Sequence, residues 1–138
     1  MRPLSLKLRH RYGRLVLLAA SLLTSGCDIP TGASAPPGAI PFDPPAIYRE
    51  WAAEVGRAAN RRGSIDRVRW LVVPGDYWML EGSEEKTIGQ WFSDGRIYIA
   101  SAWTSDEGLI KHEILHEILR GDTDHKHPLF AIYQEGAF

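Results

Sequence analysis

An α+β domain is the fold class this sequence predicts, and three observations predict it. Residues 47–58 carry apolar side chains at helical spacing. Residues 88–100 read as two short strands about an Asp-Gly turn. Residues 104–120 return to helical spacing and end at a glycine. Two helices packed on a small sheet, mostly antiparallel or mixed, would bury all of these apolar faces together.

The first helix follows Pro44-Pro45. Ile47, Tyr48, Trp51, Val55 and Ala58 recur at three- and four-residue steps, with Arg49, Glu50, Glu54 and Arg57 on the other side. Asn60 to Gly63 read as its stop. Arg67 to Val73 is a strand closed by Pro74-Gly75. Tyr77 to Leu80 suggests a further short strand, and Glu81 to Lys86 an acidic loop.

Ile88–Phe92 and Ile97–Ala100 then flank Ser93-Asp94-Gly95-Arg96, where Asp-Gly suits the positive φ values of a type I′ turn. Thr104 or Ser105 is expected to cap the last helix, with Asp106 and Glu107 favouring its positive end. Gly121 ends that helix after Arg120. The five tryptophans are expected mainly in the core. Tyr98 is also expected in the core or on a sheet face, with an oxyanion-stabilising role as the alternative.

Ahead of this domain the composition changes twice. Residues 1–26 hold Arg2, Lys7, Arg9, Arg11 and Arg14, then the apolar run Leu15 to Leu23, then Thr24-Ser25-Gly26. A basic start, a short apolar stretch and small residues form a secretory signal peptide. The apolar run is shorter than the roughly 20 residues a membrane span needs. Cys27 is the only cysteine, so an internal disulfide is excluded. Leu22-Leu23-Thr24-Ser25-Gly26-Cys27 resembles the lipobox of bacterial lipoproteins, which implies cleavage before Cys27 and a lipid anchor on it. Residues 28–45, rich in proline and small residues, cannot build a core and suit a spacer. The expected organisation is a signal peptide at 1–26, a lipidated cysteine and tether at 27–45, and a folded domain at 46–138. It places the chain at the cell envelope, facing the periplasm or exterior.

The whole-chain charge of −1 hides an asymmetry. All acids lie after residue 26, so without the signal peptide 17 acids face 11 bases, a balance of −6. That balance disfavours nucleic acid as a partner. A domain this small buries a modest share of its surface and would gain from a staple such as a metal. It is expected to act as a monomer.

Four of the five histidines lie between residues 112 and 127. Within this stretch His112-Glu113-Ile114-Leu115-His116 is an HExxH motif. Residues four apart on a helix share a face, so His112 and His116 can offer two nitrogens to one zinc ion. Glu113 lies about 100° round the helix, where it can act as general base on the water that the ion activates. Ile110, Ile114, Leu115, Ile118 and Leu119 form an apolar arc with the histidines at its edge, and Glu113 and Glu117 are expected on the polar side.

A catalytic zinc usually takes three protein ligands. His125 is taken first for the third, with His127, Asp122 and Glu135 as alternatives. Gly121 turns the chain so that this segment can fold back.

Residues 46–138 resemble, in element order and in this motif, the zincin metallopeptidases. The resemblance implies a helix backing a twisted sheet, an edge strand at Ile88–Phe92 that receives peptide substrate by β-augmentation, an inner neighbour at Ile97–Ser101, and an HExxH helix as cleft floor. The chain also resembles small bacterial lipoproteins with an HExxH motif. The expected function is a membrane-tethered zinc peptidase acting on peptides or proteins. A non-catalytic zinc- or ligand-binding lipoprotein is the alternative.

Overall fold

The structure is a computed structural model that describes residues 35–133. Its elements are β1 (Ile40–Pro41), α1 (Ile47–Ala58), β2 (Arg69–Val73), β3 (Trp78–Met79), β4 (Lys86–Thr87), β5 (Gly89–Trp91), β6 (Arg96–Ala100) and α2 (Glu107–Leu119). Short 3₁₀ turns follow β6 at Ser101–Trp103 and α2 at Pro128–Ala131. The fold is α+β, as the sequence predicts. None of the described helices is long and apolar enough to cross a membrane.

Four strands form one mixed sheet in the order β1-β2-β6-β5. β2 and β6 run parallel, while β1 and β5 pair antiparallel to β2 and β6 respectively. β5 is therefore an edge strand with β6 as its inner neighbour. β3 and β4 pair separately.

The alternation of β6 explains the layering, because successive side chains point to opposite faces. Ile97 and Ile99 pack with Tyr48, Val55, Leu109, Ile110, Ile114 and Leu115 beneath the two helices. Tyr98 and Ala100 pack with Val73 and Trp78 on the other face. Tyr98 thus lies on the face away from α2. This removes it from any role near the HExxH motif and makes it a core residue.

Four expectations change. The expected tether runs to residue 45, but Ile40–Pro41 pairs with Leu71–Val72 and Phe42 N–H donates to the Trp70 carbonyl at 3.0 Å. Proline is admissible there because β1 is an edge. The hairpin does not use a type I′ turn. Gly95 alone among Ser93–Gly95 has a positive φ, +84°, and Phe92 and Arg96 close a three-residue loop. That is a type I turn followed by a glycine bulge, and Asp94 steadies it by accepting from the Arg96 backbone N–H at 3.1 Å. The α2 cap is Asp106, not Thr104 or Ser105, because Ser101–Trp103 first makes a 3₁₀ turn. Asp106 accepts from the Leu109 N–H at 2.7 Å.

The fourth change bears on the site. α2 has no polar side over most of its length: residues 109–115 and Glu117 are all buried. α1 and the sheet cover its apolar arc, and β5 crosses the face that carries Glu113 and Glu117.

Candidate metal centre

α2 places His112 and His116 one turn apart, and the turn after Gly121 brings His125 back to them. One ring nitrogen from each histidine falls within 4.8 Å of the others. The ring centroids are 4.9–5.0 Å apart in each pair. His125 Nε2 lies 3.0 Å from His116 Nε2. Imidazole nitrogens about 2.0–2.1 Å from one tetrahedral ion lie about 3.3 Å apart, so the His116–His125 pair is near ligand spacing and the trio lies close enough to take an ion with a small closure. Three imidazoles form a ligand set for zinc and for other borderline transition metals.

His112 is oriented as a ligand should be. Its Nδ1 lies 2.9 Å from the Tyr133 carbonyl oxygen. A carbonyl only accepts, so Nδ1 carries the proton and Nε2 keeps its lone pair toward the other two rings. Phe130 packs against all three imidazoles, with centroids 5.1, 4.7 and 4.6 Å away, and shields one side.

His116 is held well below the usual histidine range, at about 4, chiefly by burial and next by the neighbouring His112 and His125. Only the neutral ring can ligate, so this shift favours metal binding. The Asp122 backbone lies close enough to oppose the shift without meeting hydrogen-bond geometry at the buried His116 Nδ1.

His125 sits in an exposed turn with a left-handed backbone, φ +54°. A non-glycine residue there is uncommon and often marks a functional constraint. Asp122 holds that turn without joining the cluster. Its carboxylate accepts the backbone N–H groups of Lys126 at 2.9 Å and His127 at 2.8 Å. Those donors, Lys126 first, hold the carboxyl below its ordinary range. His127 is used elsewhere too, because its Nδ1 accepts from Leu129 N–H at 3.3 Å and caps the Pro128–Ala131 turn. The structure therefore brings His125 to the pair. It leaves Asp122 and His127 out, and Glu135 lies outside the described residues.

Glu113 is only 1% exposed. Gly89 of β5 makes room for it: a Cβ there would lie 2.6 Å from Glu113 Oε1 and 2.6 Å from Leu109 Cδ1. The edge strand and the HExxH helix thus meet at a residue without a side chain.

Glu117 is a site residue that sequence reasoning missed. Its Oε2 accepts from Trp91 Nε1 at 2.9 Å, and its Oε1 accepts from Arg120 Nε at 3.1 Å. The Trp91 ring lies nearly parallel to His116, at 12° and 5.9 Å between centroids. The one signal in the sequence was Trp91 on the strand expected to be the edge.

No protein-family model matches the chain, and neither the curated proteins nor the solved structures give a match. The functional reading therefore rests on the site itself.

Proposed function

We propose that this chain is a zinc-dependent peptidase, tethered to the cell envelope through a lipid on Cys27. The observation that carries the reading is the convergence of His112, His116 and His125, with the His112 tautomer fixed by the Tyr133 carbonyl. Three histidines form a usual catalytic set, because a fourth tetrahedral position stays open for water or substrate. A zinc ion there would supply Lewis acidity and lower the pKa of a water to about 7.

The chain's own residues would do the rest. The Glu113 carboxylate, beside the ligands on the same helix, would take the proton of the attacking water and pass it to the departing amine. β5 would present its open edge to an extended peptide, whose main chain adds as a further strand. The arrangement of a backing helix, a mixed sheet, an edge hairpin and an HExxH helix supports the likeness to zincins. The signal-like segment and Cys27 lie outside the described residues, and the envelope location rests on their sequence.

The near-complete burial of Glu113 favours a second reading, a zinc-binding lipoprotein without turnover. One experiment separates the two. Purified full-length chain is analysed for metal and incubated with a degenerate peptide mixture, beside Glu113→Gln. The peptidase reading expects about one zinc per chain in both proteins, with cleavage by the wild type alone. Zinc without cleavage in either protein supports the second reading. No bound zinc overturns both.

A further inference from the structure

His112 and His116 are anchored differently. A metal-bound histidine usually has its second nitrogen held by a carbonyl or carboxylate, which fixes the ring. His112 has the Tyr133 carbonyl. His116 has only the Asp122 backbone near it, outside hydrogen-bond geometry at Nδ1. Rotation about the last torsion of a histidine is soft, so a ring held by a weak backbone contact needs a further constraint on its plane. The Trp91 ring lies nearly parallel to that plane, 5.9 Å away between centroids, and its N–H is bonded to Glu117.

We propose that Glu117 is a positioning residue that holds Trp91 flat against His116 and so fixes the orientation of this metal ligand. The inference rests on His116 being a ligand, as argued above. Three observations carry it. Trp91 and His116 stack within 12° of parallel. The indole N–H donates to Glu117 Oε2 at 2.9 Å, so the ring cannot slide without breaking a half-buried, charge-assisted bond. Arg120 closes the far side by donating to Glu117 Oε1, which pairs the buried carboxylate and keeps it from turning. A buried carboxylate is costly unless paired in this way, and Arg120 supplies the pairing here.

The clamp also joins two parts of the site. Trp91 ends β5 while His116 stands on α2, so the edge strand that would take a peptide is tied to a metal ligand through one ring. Displacement of Trp91 by an occupant of that edge would be felt at His116.

The test uses the full-length chain, first metal-free and then titrated with cobalt(II) chloride. Nitrogen–proton correlation spectra of the histidine rings report His116 and His127 separately. In Glu117→Ala and Trp91→Leu the His116 ring signals should shift and broaden while those of His127 stay in place. Cobalt affinity should fall about 10–100-fold, the usual loss for an outer-sphere partner, with a changed cobalt absorption band. Glu117→Gln keeps an oxygen for the indole N–H and should restore most of the affinity. Unchanged His116 signals and cobalt affinity in a folded Glu117→Ala protein would overturn the clamp. If the wild type binds no cobalt, the metal reading fails by itself, and the metal-free ring signals still decide the clamp. Should Trp91→Leu fail to fold, Trp91→Phe keeps a stacking ring without the donor and should give the same shift in weaker form.

Discussion

His112 and His116 stand on a helix whose residues 109–115 are buried on every side, whereas His125 stands on an exposed turn with a left-handed backbone. The helical pair is set by the core. Its spacing comes from the helix repeat and its surroundings from packing, so it would persist whether or not metal is present. The position of His125 is set by a few hydrogen bonds on the surface, chiefly the two that Asp122 accepts. Such segments open more easily than core elements. On the proposed metal reading, the helical pair is the preformed half of the site and the His125 turn is the half free to adjust.

The largest effect is expected from removing one histidine from each half. His116→Ala should abolish metal binding, with a loss well beyond the 10–100-fold typical of outer-sphere partners. His125→Ala should weaken binding and leave measurable affinity, because the helical pair remains. Metal competition against a chelating dye ranks the two. Equal loss in both would mean that the loop ligand is as firmly set as the helical ones.

Next in size is a change that strikes the helical half without touching a ligand. A Cβ at Gly89 would meet Glu113 and Leu109 at 2.6 Å, so either β5 or α2 must shift. Gly89→Ala should cost about 1–3 kcal/mol, as overpacking of a tight core does. In a domain of this size that lowers the melting temperature by about 4–8 °C per kcal/mol. Thermal unfolding with chelator present isolates the packing effect from metal. An unchanged melting temperature would show that the strand and the helix are free to part at this point.

The same division marks what was legible in the sequence. α1 shows a clean amphipathic period and the structure gives it the range Ile47–Ala58. His112 and His116 were legible because the helix repeat alone relates them. His125 was legible only as one of four alternatives, because a loop ligand depends on where Gly121, Asp122 and Pro128 send the chain, and no period encodes that. The misplacement of Glu113 and Glu117 has a definite cause. A period assigns polar residues to an outer face, but it does not register a glycine strand that covers that face. Gly89 and Trp91 lie more than 20 residues upstream, and only the tertiary fold brings them to the helix. The short β1 was missed because Ile40 and Pro41 lie in a proline-rich segment, where edge pairing leaves no compositional trace.

His125 and His127 are two residues apart, and in an extended segment both would point the same way. The left-handed backbone at His125 breaks that alternation, so one histidine turns to the cluster and the other caps the Pro128–Ala131 turn. The long 3.3 Å contact to Leu129 N–H marks a weak cap. His127→Ala should therefore lower stability by only about 0.5 kcal/mol, the low end for a lost cap, and leave metal affinity at the wild-type value. The chelating-dye competition used for His125→Ala reads this directly. A loss matching that of His125→Ala would move the third ligand to His127, and the strained backbone at residue 125 would then need another explanation.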